Sequence, residues 1–252
     1  MWRRFLPSLI MVCLLTFSIL PGRVEAEKRT VPSRPQYWID ATYDDQKQSV
    51  RAHMKVRLPK EHKNQHEIYF HLYPNAFRHW RFGKVSKPTR PGSIELSNVK
   101  FNGQPVQPKI RETIMKIDLP RVLHQGKSAL IEMDFHLHLP KGGTRLNVYR
   151  QTAFLAQWYP MLAVKDRGGW HTEPYTTTGD PFYSIVSDFD VTFHLPKNYQ
   201  VISTAVDQRK PKQTVHLKQE MVRDFVAVLT KDYRVHRQRI DGIMVNLWSM
   251  EG

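Results

Sequence analysis

The stretch Ser128-Ala129-Leu130-Ile131-Glu132-Met133-Asp134-Phe135-His136-Leu137-His138-Leu139-Pro140 decides the fold. Its odd positions from Ala129 to Leu139 are all apolar, and its even positions, Leu130 apart, are polar or charged as far as His138. A period of two sends successive side chains to opposite faces, so this is a strand with one buried and one wet face. Ser49 to Leu58 repeats the pattern, with Val50, Ala52, Met54, Val56 and Leu58 set against Arg51, His53, Lys55 and Arg57. Asp188 to Leu195 repeats it through Phe189, Val191, Phe193 and Leu195. Further strands are expected at Tyr37 to Tyr43, Ile68 to Tyr73, Ile94 to Phe101, Thr113 to Leu119, Tyr199 to Ala205, Gln213 to Gln219, Phe225 to Leu229 and Ile243 to Trp248. Asn102-Gly103 and Asp241-Gly242 are residue pairs that accept the positive φ of tight hairpins. After residue 27 no window carries a helical stripe of a dozen residues. The reading is an antiparallel all-β sandwich without internal repeats.

Composition agrees. The 252 residues include 17 Pro, 12 Gly, 10 Tyr, 12 Phe and 6 Trp, which suits twisted strands and turns better than a helical bundle. With 40% apolar and 24% charged residues the chain can bury a core and is neither disordered nor collagen-like. The formal charge of +15 favours anionic partners without bearing on the fold. A single cysteine excludes an internal disulfide framework and a Cys-rich zinc site. That cysteine, Cys13, lies in a segment with the marks of a signal peptide: a basic head at Met1 to Arg4, an apolar run from Phe5 to Leu20, and Val24-Glu25-Ala26 before a cleavage point. The expectation is a signal peptide over residues 1 to 26, one β-sandwich domain over 27 to 252, and a secreted, cysteine-free mature chain.

One passage breaks the strand rhythm. Thr144 to Tyr183 holds Gln157-Trp158-Tyr159-Pro160, Gly168-Gly169-Trp170 and Gly179-Asp180-Pro181-Phe182-Tyr183. A long irregular segment in a compact domain is usually functional or disordered, and this one is too aromatic for disorder. Its rings either cap one end of the sandwich or meet a second domain, since aromatics serve both cores and interfaces. Trp158, Tyr159, Trp170 and Tyr183 are the candidate interface residues.

No complete catalytic apparatus is present. His62 with His66 and Glu67, His136 with His138, and His171 with Glu173 are the closest approaches to metal-ligand spacing, and none nominates the third ligand that zinc requires. The sequence lacks His-Glu-x-x-His, a Gly-x-Ser-x-Gly elbow, a phosphate-cradling Gly-x-x-x-x-Gly-Lys run and, once the first 26 residues are gone, any cysteine nucleophile. Asp188 and Asp190 share a wet strand face, where solvation accounts for them. Basic residues gather at Arg51, Lys55 and Arg57 and again at Lys231, Arg234, Arg237 and Arg239. Outside a cell such patches meet wall polymers, acidic glycans or lipid headgroups; no nucleic-acid-binding signature accompanies them.

Two blocks of sequence resemble a known family. Tyr37-Trp38-Ile39-Asp40-Ala41 followed by Ile68-Tyr69-Phe70-His71-Leu72-Tyr73-Pro74-Asn75-Ala76-Phe77 looks like the start of the N-terminal β-domain of the zinc aminopeptidases that include aminopeptidase N. The Gln157 to Tyr183 passage, then Phe189 to Pro196, Tyr199 to Ala205 and Asp224-Phe225, is similar to a bacterial branch of that family. The resemblance spans about residues 37 to 249. It implies a saddle-like β-domain packed on a separate catalytic metallopeptidase domain that holds zinc, with Gln157 lent to the pocket that receives the N-terminus of a peptide substrate. The zinc ligands, the general-base Glu, the Gly-x-Met-Glu-Asn loop and the transition-state Tyr have no counterpart here, so no cofactor is expected in this chain. It is expected to be the non-catalytic domain, or a truncated product, of a secreted zinc metallo-aminopeptidase. The alternative is a stand-alone exported module that binds anionic cell-surface polymers or glycans.

Overall fold

The computed structural model describes residues 34–59, 65–84, 87–123, 128–142, 145–177, 179, 181–205 and 212–250. The segment read as a signal peptide, and His62, lie outside the described residues.

A seven-stranded sheet carries the domain. Its strands run in the order Thr214–Val222, Ser187–His194, Gln36–Asp44, Ser49–Arg57, Leu130–His138, Ser93–Phe101 and Gln104–Pro105. The alternation in Leu130–His138 is realised residue by residue: Ile131, Met133, Phe135 and Leu137 are buried while Glu132, Asp134, His136 and His138 stay partly wet. Each fully buried apolar side chain of this kind contributes ~1.5–3 kcal/mol. Neighbouring strands are antiparallel with one exception. Gln36–Asp44 runs parallel to Ser187–His194, placing Tyr37 opposite Phe189 and Ala41 opposite Phe193.

Two four-stranded sheets share the core. One has the order Gln200–Ser203, Ala227–Thr230, Thr152–Leu155, Leu146–Tyr149, and the other Met161–Leu162, Gln65–His71, Ile114–Leu123, Lys109–Arg111. The large sheet meets both through its apolar face: the Tyr43 ring packs edge-on against Tyr199 at 5.4 Å, and the Tyr37 hydroxyl accepts the Leu162 N–H at 2.9 Å. The result is the sandwich-like all-β domain that the alternation predicts.

Three details differ from the sequence reading. The passage from Thr144 to Tyr183 is not irregular throughout; it contains the strands Leu146–Tyr149, Thr152–Leu155, Met161–Leu162, Lys165–Asp166 and Gly169–Trp170. At two to four residues each they are too short to display a period of two. Second, Tyr233–Ile240 forms a strand where basic residues hide any apolar face, and it pairs with Ile243–Met250 across the Asp241-Gly242 turn, both turn residues having positive φ. Third, a short 3-10 helix spans Tyr73–Phe77, entered through Pro74.

Candidate functional site

Gln157 stands just beyond the end of Thr152–Leu155. That strand pairs with Ala227–Thr230 in a register that sets Leu155 opposite Ala227, so the chain beyond Leu155 runs alongside Asp224 and Phe225. Gln157 takes φ +49, a left-handed conformation that costs a residue with a side chain about 1 kcal/mol. The residue is 8% exposed. Its Nε2 donates to Asp224 Oδ2 at 2.5 Å, and Asp224 Oδ1 accepts the Tyr159 hydroxyl at 3.0 Å. Asp224 is half-buried as a residue, but its carboxyl is turned onto these two inward-facing donors. Desolvation pushes its pKa above the ordinary carboxylate value even though Tyr159 and Gln157 hydrogen-bond the charged form. Burial, reinforced by the neighbouring Asp224 charge, raises the Tyr159 phenol well above its usual range.

The other end of the Gln157 amide is unsatisfied. Oε1 is buried and has no hydrogen-bond partner among the described residues. Gln157 also lines a cavity of about 10 Å³ walled by Tyr73, Phe77, Tyr175 and Phe182 and bordered by Arg145, whose guanidinium stands 4.9 Å from the Phe182 ring centre. That volume admits one group the size of a water molecule. An ammonium head fits the same space. The lining thus offers aromatic faces and an amide acceptor, with the Arg145 guanidinium already seated on the Phe182 face.

Of the residues read as an interface, Trp158 and Tyr159 are core, at 0% and 1% exposure. This corrects the sequence expectation. The Trp158 indole wedges against Phe135 and Phe193 of the large sheet, with ring centres 5.9 and 5.4 Å away, and its Nε1–H donates to the Phe225 carbonyl at 3.0 Å. Tyr159 packs edge-on against Phe189 at 5.6 Å. Both rings fill the space between sheets and present nothing to a partner. Trp170 is half-buried against Tyr69, at 5.6 Å, with the Lys165 ammonium 5.4 Å from its ring centre. Tyr183 remains 48% exposed and meets His171 edge-on at 5.0 Å. Trp170 and Tyr183 are therefore the members of the set that border the surface.

The histidine candidates among the described residues lie in three separate places. His171 is held by Asp166 at 2.7 Å and by Glu173 at 3.2 Å, and the Asp166 carboxylate raises its pKa. His136 and His138 lie on the outer face of the large sheet with rings 4.0 Å apart; burial first, then the neighbouring His138 and Arg51 charges, lower the His136 pKa. His66 is exposed. Among the described residues no three His, Cys, Asp or Glu side chains converge to hold a metal ion.

The outer face is a lattice of matched charges. His53 meets Asp134 at 2.7 Å, Lys55 meets Glu132 at 3.1 Å, and Arg34 meets Asp188 at 2.9 Å. Asp190 is shared by His216 at 2.5 Å and Lys218 at 2.9 Å. Asp188 and Asp190 are thus paired rather than merely solvated. Arg57 lies over the Trp38 ring. A shallow groove of about 510 Å³ crosses this face past Asp40, Arg51, His53, Glu95, Asp134 and His136, offering both signs of charge.

No family profile matches this sequence, and neither does any curated protein. Among solved structures it is similar in fold to a mutant M1 zinc metallopeptidase from Deinococcus radiodurans bound to a Tyr-Ser-Ala substrate, at 9% identity and TM-score 0.46 over 86% of this chain and 46% of that one. A mutant two-domain M1 zinc metallopeptidase bound to L-tryptophan gives 11% identity, TM-score 0.47 and coverage of 86% and 47%. The same kind of protein bound to L-arginine gives 10% identity, TM-score 0.46 and coverage of 86% and 46%. This chain spans about half the length of those structures. The likeness is one of fold and says nothing of chemistry.

Proposed function

We propose that this chain is the non-catalytic N-terminal β-domain of an exported zinc metallo-aminopeptidase, and that Gln157 receives the α-ammonium group of a peptide substrate. The observation that carries the reading is the Gln157 amide. It is buried, held in a left-handed backbone, committed through Nε2 to Asp224, and left with Oε1 unpartnered among the described residues beside an ammonium-sized cavity. A buried acceptor without a partner is uncommon in a native fold and is a feature that functional sites tolerate. The sequence resemblance supplies the class of ligand. A peptide N-terminus brings three N–H donors and a positive charge to such an acceptor.

In this reading zinc, the general base and the reacting water belong to a catalytic metallopeptidase domain, in keeping with the lack of three converging metal donors among the described residues. The β-domain's part is positional: it holds one end of the substrate so that the scissile bond falls at a fixed distance from the metal. Export follows from the basic head and apolar run before Ala26. Two measurements test the proposal. The protein from culture supernatant should begin at Glu27. The mature chain mixed with a separately expressed His-Glu-x-x-His domain of a bacterial zinc aminopeptidase should give chelator-sensitive hydrolysis of alanine p-nitroanilide above that of either component alone. A mixture no more active than the catalytic domain by itself refutes it.

A further inference from the structure

We infer that Asp224 is a positioning residue that fixes the polarity of the Gln157 amide, so that the oxygen and not the NH₂ group is presented to the cavity. An amide has a donor end and an acceptor end of nearly equal size, and nothing in the shape of a glutamine decides which faces a ligand. Here a charge decides. Ionised Asp224 is an acceptor only: its side-chain partners are the Tyr159 hydroxyl on Oδ1 and Gln157 Nε2 on Oδ2, and the backbone N–H groups of Gln157 and Phe225 also favour its charged form. Turning the amide over would aim Oε1 at a carboxylate oxygen and leave Nε2 pointing away. Tyr159 is in turn fixed from behind, since its hydroxyl oxygen lies 3.4 Å from the Phe225 N–H that donates to it, which leaves its own proton for Asp224. The chain Phe225 N–H to Tyr159 to Asp224 to Gln157 therefore has one consistent direction, and it ends in Oε1, an acceptor with no partner among the described residues.

Burial makes this carboxylate costly to keep, and its two acceptor oxygens are what it supplies in return. Desolvation works against the Asp224 charge, so a carboxylate at this position is a cost to the fold that an uncharged residue would avoid. A carboxylate is the one common side chain that accepts from both Tyr159 and Gln157 at once. An asparagine in its place has one acceptor and one donor: its oxygen satisfies the Tyr159 proton, its NH₂ then faces Gln157, and the glutamine amide must invert. The inference about ligand selection rests on reading Gln157 as the acceptor for a peptide ammonium; the inference about polarity does not.

The test is side-chain amide NMR on the ¹⁵N-labelled mature chain, with the Gln157 pair assigned by its disappearance in Gln157→Ala. In the wild type the Gln157 NH₂ protons should be protected from solvent exchange by the Asp224 bond. In Asp224→Asn they should exchange at least tenfold faster, with the Trp158 indole N–H, which reports the adjoining Phe225 backbone, unmoved. Tyr159→Phe keeps the carboxylate and should keep the protection. Glycinamide, which carries a free α-ammonium, should shift the wild-type Gln157 pair, and the shift should be lost in Asp224→Asn; N-acetylglycinamide should do nothing to either. Retained protection in Asp224→Asn with an unmoved indole overturns the positioning role. If protection is lost as predicted but glycinamide leaves the wild type unshifted, the polarity inference holds and the ammonium-acceptor reading of Gln157 falls. Equal glycinamide shifts in wild type and Asp224→Asn overturn the positioning role while leaving that reading intact.

Discussion

Replacing Trp158 tests the correction that moves the aromatic passage from surface to core. The indole is 0% exposed, lies between Phe135 and Phe193, and donates to the Phe225 carbonyl. Trp158→Ala deletes the largest side chain of the fully buried set and leaves a cavity that flanking sheets cannot close, which costs about 3–5 kcal/mol. Trp158→Phe keeps most of the volume but orphans a buried carbonyl, at about 1–3 kcal/mol. For a domain of this size 1 kcal/mol moves Tm by about 2–4 °C, so the alanine variant should melt on the order of 10 °C lower, with the phenylalanine variant between it and wild type. Urea unfolding followed by far-UV circular dichroism measures both, and an unchanged m-value confirms that the native state is what changed. Trp170→Ala is the internal control, because a half-buried ring against Tyr69 and Lys165 should cost clearly less. A Trp158→Ala loss below about 1 kcal/mol, or one smaller than that of Trp170→Ala, would place the indole outside the core and restore the interface reading.

Two further outcomes are expected. His71 is buried, stacked on Tyr73 at 4.7 Å, and its pKa is lowered by desolvation. The native state thus binds fewer protons there than the unfolded chain, and the neutral ring's contribution is complete above pH 6.5 and lost as pH falls through the depressed value. Stability should decline below pH 6.5 with a slope of up to about 1.4 kcal/mol per pH unit, and His71→Gln should flatten that limb; an equal slope in the variant assigns it to other groups. The hairpin of Tyr233–Ile240 and Ile243–Met250 joins no third strand among the described residues and leaves Ile243 and Leu247 at 69% and 63% exposure. A two-stranded hairpin is marginal alone, so its amides should exchange on the order of 100-fold faster than those of Leu130–His138. Comparable protection in hydrogen exchange would contradict its peripheral placement.

The large sheet was legible in the sequence because one of its faces is wet. Alternation in Ser49–Arg57, Leu130–His138 and Ser187–His194 shows through wherever a strand buries one side and solvates the other. Pairing partners were not legible: nothing in Gln36–Asp44 announces that it runs parallel to a strand about 150 residues away, since register is set by tertiary packing. The aromatic passage failed for a related reason. Trp158 and Trp170 look alike in sequence, and only the strand register that carries residue 158 between the sheets separates a core wedge from a rim residue. Gln157 could be nominated by resemblance. Asp224 could not be assigned to it, because the two are 67 residues apart and meet only through the pairing of Thr152–Leu155 with Ala227–Thr230.

The most direct test of the central claim is a steady-state comparison of wild type and Gln157→Ala, each paired with the same catalytic domain, on alanine p-nitroanilide and on its N-acetylated counterpart. Losing a hydrogen bond to a charged group costs about 1.5–3 kcal/mol, which predicts a fall in kcat/KM of roughly 10- to 150-fold on the free-amine substrate. The acetylated substrate, which has no ammonium group, should be turned over equally poorly by both. Equal kcat/KM for wild type and Gln157→Ala on the free-amine substrate, in a pair shown to be associated, would contradict the account.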